Sequence, residues 1–230
     1  DDRTGYIKVV EFTGHVTENF NKALGELKGK GMESLVLDLR YNPGGLLSAA
    51  VDMSKLFLND NKMIVFTKGR KPENYQEFRA GGSGPYEMLP LVILVNRYSA
   101  SASEIVAGAM QDNKRAVIVG ERSFGKASVQ SMIPLSDKSA LRLTIAKYYT
   151  PSGKSIQHDE KNEHGGILPD IEVKVPLETE KKLLQQSEEI YFPGKDDKDK
   201  KKDAVRDEMV DRAVELLKAR EVLGNLKPGK

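Results

Sequence analysis

The sequence predicts an α/β layered domain, and three observations carry that prediction. Short apolar runs alternate with amphipathic stretches in the order β-α-β-α-β, joined by brief connections. The run 34-SLVLDL-39 is apolar at four of its six positions, three of them consecutive, the mark of a strand buried on both faces. The 230 residues are enough to bury about 70% of the unfolded chain's surface without a metal or disulfide staple.

Residues 5-GYIKVVEF-12 read as the first strand, and 18-ENFNKALGELKGKG-31 as a helix. That helix repeats apolar positions at Phe20, Ala23, Leu24 and Leu27, and Gly29 or Gly31 ends it. After the buried strand 34–39, the stretch 46-LLSAAVDMSKLFL-58 forms a helix with a stripe of Leu47, Val51 and Leu58, interrupted at Ser54. Strand 63-MIVFTK-68 precedes an exposed, cap-like excursion over about 69–89, rich in Gly, Pro and charge. The unit then repeats as strand 91-LVILVN-96, helix 102-ASEIVAGAMQDN-113 and strand 116-AVIVGE-121. Strands 129-VQSMIPL-135, 140-ALRLTIAKYY-149 and 167-ILPDIEVKV-175 complete a core expected over residues 1–176. Residues 177–230 read as a C-terminal extension. Its nine-charge run 195–203 is a solvated linker. Its helix 204–220 is amphipathic, with Val205, Met209, Ala213, Leu216 and Leu217 on one face, and must dock on this core or on a partner subunit.

Composition removes several functions. With 36 Lys and Arg against 34 Asp and Glu, the charge of +2 gives no nucleic-acid footprint. The chain has no cysteine, which excludes disulfides, thiolate metal sites and cysteine nucleophiles, and fits an extracytoplasmic life. Apolar runs such as 91-LVILV-95 fall far short of the ~20 residues of a membrane span. No secretory signal opens the chain, so a targeting segment is expected outside it.

Chemistry concentrates in three segments. In 98-YSASASEI-105, at a strand-to-helix junction, alanines leave the hydroxyls of Ser99, Ser101 and Ser103 unhidden. Ser101 and Glu104 match a capping box, yet a serine at a helix N-terminus also sits where free N–H groups stabilise an anion. Cap and nucleophile are both open readings, and the Ala102 N–H would supply half an oxyanion hole. A base is then needed. His15, His158 and His164 have no carboxylate at a spacing that demands a triad. Lys126, in 123-SFGKASVQ-130, lies among small residues, and desolvation there would favour its neutral form. In an extended strand Ser128 and Gln130 share its face, and the Gln130 amide would hold the lysine without protonating it. Third, Pro43-Gly44-Gly45 lets the backbone approach a ligand, or makes an ordinary βα turn.

The ordered set LDLRYNPGGLL, SASASEIVAGAMQDNKRAVIVGE, SFGKASVQ and GGILPDIEV resembles the carboxy-terminal processing (tail-specific) proteases, a family of serine peptidases. The resemblance covers roughly residues 5–176. It implies a Clp-protease/crotonase-like fold of stacked β-β-α units. It also implies a nucleophile at Ser101, a general base at Lys126, a supporting Gln130, oxyanion donors at Ala102 and Gly45, and a supporting acid at Asp112. It implies no metal or cofactor, a protein or peptide substrate presented by its C-terminal segment, and a homo-oligomer. The PDZ domain usual in the family is not seen before Gly5, and Ala127 replaces the usual small residue, often glycine, after the lysine. Two other classes stay open: a peptide-binding scaffold on the same fold, and a crotonase-like acyl-CoA enzyme.

Overall fold

The computed structural model describes residues 3–158, 165–191 and 205–225. The charged run 195–203 and His164 lie outside them. Five parallel strands form the main sheet in the order β1-β2-β5-β6-β9: Thr4–Lys8, Ser34–Asp38, Leu91–Val95, Val117–Gly120 and Ile171–Glu172. A second, antiparallel sheet runs β4-β3-β8-β7, with β3 Met63–Gly69, β4 Gln76–Arg79, β7 Ser128–Pro134 and β8 Ala140–Tyr149. The helices are α1 Val16–Gly29, α2 Leu47–Lys55, α3 Ala102–Asp112, α4 Leu177–Tyr191 and α5 Glu208–Asn225.

Period-two alternation sorts the strand residues into two cores. Leu35 and Leu37 of β2, Leu91, Ile93 and Val95 of β5, and Ile118 of β6 pack with α1, α2 and α3. Their alternates Val36, Val92, Leu94 and Val119 face the other way, beneath Met209, Ala213 and Leu217 of α5. The consecutive apolar residues Leu35–Leu37 therefore report a strand buried on both sides, as expected. The C-terminal amphipathic helix docks on this chain's own sheet, and it starts at Glu208 rather than at residue 204.

Three sequence expectations need correction. The excursion 69–89 contains β4, the edge strand of the second sheet, pinned where Thr67 lies opposite Gln76 and Phe66 opposite Glu77. The run 167–175 supplies only the two-residue β9. Pro169 has no N–H to give, and the Asp170 carboxylate instead accepts from the Ile118 N–H at 2.8 Å. The first strand ends at Lys8 rather than running on to residue 12, although Phe12 still bridges Gly45.

This topology places the site. Strands β2, β5 and β6 are parallel and adjacent, so their C-terminal connections leave the sheet side by side. Those three connections carry Asn42-Pro43-Gly44-Gly45, Ser99-Ala100-Ser101 and Ser123-Phe124-Gly125-Lys126.

Candidate active site

Ser101 is the N-cap of α3, half-buried, with φ 55° and ψ −110°. The Ser103 N–H donates to the Ala100 carbonyl at 3.1 Å, so Ser101 occupies the first corner of a tight turn. L-residues rarely adopt that conformation, and only over-determination by neighbours holds one there. Ala102, the first residue of the helix, is fully buried, and its N–H has no intrahelical acceptor.

The over-determination comes from Glu104, a fully buried carboxylate. Its Oε2 accepts from the N–H groups of Ser101 (2.8 Å) and Lys126 (2.9 Å). Its Oε1 accepts from the Gly125 N–H and the Ser123 hydroxyl, both at 2.6 Å. Burial raises the carboxyl above its ordinary value even though all four donors pull the other way. The Phe124 N–H adds a bond to the Ser99 carbonyl at 3.0 Å. The capping partner read from the sequence is thus also the anchor of the Ser123–Lys126 loop. Nothing in local spacing signals that second role.

Asn42, also fully buried, ties the glycine turn to the serine turn. Its Oδ1 accepts from the Gly44 N–H at 2.8 Å, and its Nδ2 donates to the Val9 carbonyl at 2.7 Å. Its own carbonyl accepts from the Ala100 N–H (3.0 Å) and the Ser103 hydroxyl (3.1 Å). Gly44, at φ +104°, is wedged so closely that an added Cβ would stand 2.7 Å from both the Ala100 oxygen and Ser101 Cβ. At Gly45 the φ is +138°, and an added Cβ would meet the Phe12 oxygen at 2.3 Å. Phe12 bonds the Gly44 carbonyl and the Leu46 N–H on either side of Gly45 (2.8 Å each). That alternation turns the N–H of Gly45 away from Phe12.

Behind the turn, Asp38 and Arg40 make a bidentate pair, with Arg40 Nη2 to Asp38 Oδ2 at 2.7 Å. The Arg40 fork also donates to Asp207, just ahead of α5, at 2.8 and 3.0 Å. Burial alone would depress the Arg40 pKa, but the Asp38 and Asp207 carboxylates hold it above its ordinary value.

The remaining residues singled out in the sequence separate into two groups. Lys126 and Gln130 are both exposed, so the lysine is not desolvated as the sequence suggested. A register shift between Val129 and Gln130 breaks the alternation expected to put them on one face, and Ala127 between them is fully buried. The Ala127 carbonyl accepts from the Tyr148 N–H at 2.8 Å, and Gln130 stands opposite Thr144 of β8. Regular pairing begins only at Ser128, so Lys126 projects from the loop just before the strand. Asp112 lies elsewhere: it ends α3, roughly 16 Å along the axis from Ser101, and accepts from the Ser152 N–H at 2.9 Å. His15 caps the start of α1 without a side-chain bond. His158 rests against Gly125, whose carbonyl takes its backbone N–H at 2.8 Å.

Comparison with known proteins places the chain in a family. The model of peptidase family S41 matches residues 3–173. A carboxy-terminal-processing protease of Bartonella bacilliformis is 44% identical over 205 residues, covering 85% of this chain and 46% of that protein. A carboxyl-terminal-processing protease of Synechocystis is 43% identical, over 75% of this chain and 38% of its own length. Among solved structures, the photosystem II D1 C-terminal processing protease superposes with a TM-score of 0.66 at 37% identity, covering 74% of this chain and 42% of that one. The chain thus spans less than half the length of these relatives. The tricorn protease, at 16% identity and a TM-score of 0.50, shares the fold alone. Motif order, the three-loop geometry and a family match across most of the sequence have one common explanation: the chain belongs to peptidase family S41.

Proposed function

We propose that this chain is the catalytic part of a serine endopeptidase that cuts other proteins near their C-termini. The observation carrying the reading is the Glu104 carboxylate, which brings the backbones of Ser101 and Lys126 to one oxygen. Ser101 Oγ attacks the scissile carbonyl carbon while neutral Lys126 takes the hydroxyl proton. The developing oxyanion is met by the N–H groups of Ala102 and Gly45, the two donors that helix start and glycine turn leave unspent. Lys126 passes its proton to the departing amine, leaving an acyl ester on Ser101. Water, deprotonated by Lys126, then cleaves the ester and restores the serine. Gln130, also exposed, accepts from the lysine amine and orients it. Asp112 acts from a distance, by holding Ser152. The scheme uses no metal or cofactor.

The names of the relatives support a substrate recognised through its C-terminal segment. For the whole protein we propose an extracytoplasmic setting, homo-oligomeric assembly and a PDZ domain as working partner. The deciding experiment is labelling with a fluorophosphonate. Ser101 should be modified in the native chain, casein should be hydrolysed, and both should vanish in Ser101→Ala at an unchanged fold. Peptide binding without labelling would instead support a scaffold, and coenzyme A binding the acyl-CoA class.

A further inference from the structure

Glu180 of α4 is a buried carboxylate outside the site described above. Its Oε1 accepts from the Tyr41 hydroxyl, and its Oε2 accepts from Arg97 Nη2. These two partners belong to different loops. Tyr41 immediately precedes Asn42 and the glycine turn, whereas Arg97 lies four residues before Ser101. The rings of Tyr41 and Tyr98 stack at 5.5 Å, and the Arg97 guanidinium sits 4.8 Å from the Tyr98 ring centre. From inside the fold, Asn96 Oδ1 makes the corresponding tie, accepting from the Tyr41 N–H at 3.0 Å and the Tyr98 N–H at 3.2 Å.

Tyr41 needs such restraint. Its φ is +63°, a conformation unfavourable for a bulky side chain, and it sets the direction in which the chain enters the glycine turn. Relaxation of Tyr41 would carry Asn42 with it, and Asn42 fixes both Gly44 and Ala100. Helix α4 thus reaches the loops beside Ser101 through two side chains.

We infer that Glu180 is a positioning residue: its carboxylate latches the Tyr41 and Arg97 loops together and sets the spacing between the glycine turn and Ser101. The inference rests on the proposed peptidase reading for its kinetic consequence, but its structural consequence can be measured independently.

The test compares Glu180→Ala, Glu180→Gln and Tyr41→Phe with a control on the same helix, Lys181→Ala, whose partner is the exposed Glu178. Two readouts are taken on chains shown to be folded by thermal melting. The first is the rate of fluorophosphonate labelling at Ser101, together with kcat and KM for a peptide. Glu180→Ala should label on the order of tenfold to a hundredfold more slowly, as a displaced reacting group does, with kcat falling and KM holding. Glu180→Gln should recover part of the rate, because its amide oxygen can accept from Arg97 while its NH2 donates to the Tyr41 oxygen. The control should match the native chain.

The second readout is amide hydrogen exchange. Glu180→Ala should lose protection in residues 40–46 and 97–103 together, while β8 keeps its own. Native labelling rates in a folded Glu180→Ala, or exchange that changes in only one of the two loops, would overturn the latch. If the native chain itself fails to label, the peptidase reading falls, and the exchange experiment alone decides the latch.

Discussion

Ser101 and Lys126 donate their backbone N–H groups to the same atom, Glu104 Oε2, at 2.8 and 2.9 Å. Their nitrogens therefore lie less than about 6 Å apart, although 25 residues separate them in sequence. One side chain fixes the relative position of proposed nucleophile and proposed base, and it does so from within the core.

Replacing Glu104 by glutamine tests that coupling. The amide keeps one acceptor oxygen but turns an NH2 toward donors that had bonded a carboxylate oxygen. Leaving buried donors unpaired costs about 1–3 kcal/mol each, so Glu104→Gln should denature at clearly lower urea concentration. Peptide turnover should drop at least about tenfold, an extent set by displacement of the reacting groups. A variant of native stability and activity would show that the carboxylate holds nothing essential.

The strain at Ser101 makes a second prediction. Both Ser101→Ala and Ser101→Gly should be inactive, yet they should differ in stability. Positive φ costs an L-residue about 1–3 kcal/mol, and glycine escapes this while losing about 0.5–1 kcal/mol of backbone entropy. The glycine variant should be the more stable by about 1 kcal/mol, read from unfolding curves. The reverse order would mean the turn is not strained at this residue.

Gly44→Ala should be severe. The added methyl meets the Ala100 oxygen and Ser101 Cβ at 2.7 Å, and neither belongs to a flexible side chain that can swing aside. Peptide turnover should be lost. Stability should fall by about 1–3 kcal/mol for the backbone conformation alone. Turnover close to native would remove this turn from the site.

Lys126→Arg should be as inactive as Lys126→Ala. Arginine retains the charge and most of the reach but does not deprotonate in a protein. Substantial peptide cleavage by the arginine variant would rule out Lys126 as the base.

The acid dependence of stability should reveal Glu180. Burial opposes its charge, but the Tyr41 and Arg97 donors outweigh burial and hold it below its ordinary value of 4.5. A lowered carboxyl contributes stability above its unfolded value and loses it as pH falls through the folded one. The unfolding free-energy difference between the native chain and Glu180→Gln should be flat between about pH 6 and 8 and shrink below about 4.5. Comparing those two chains cancels Glu104, whose raised pKa has the opposite sign, its contribution being lost as pH rises. A difference that stays constant into strong acid would contradict the assignment.

Much of the architecture was legible because burial on two faces leaves a mark. The middle of β2, Leu35–Leu37, and every position of β5 are apolar, and α5 shows its Met209, Ala213 and Leu217 stripe plainly. Helix α4 leaves no such mark: among its described side chains the apolar ones are only partly buried or exposed, and its most buried one is Glu180, a residue type that normally reads as solvent-exposed. Pro176 and the acidic first turn at Glu178 and Glu180 were the usable signals. At the site, the motif residues could be identified individually. The bond from Glu104 to Lys126 could not, because it depends on how β6 lies beside β5. Asn42 stands within a motif, but its carbonyl's bonds to the serine turn are visible only in three dimensions.

The position of α5 has a consequence for biosynthesis. A ribosome delivers Val36, Val92, Leu94 and Val119 well before Met209, Ala213 and Leu217, the residues that cover them. Until then the nascent sheet displays an oily back, and Arg40 waits for Asp207. Chains emerge and fold from the N-terminal end, so this face of the sheet stays open until α5 has been made. Ser101 and Lys126 are thus translated before the helix that closes the sheet behind them, and the loops that carry them gain that support late.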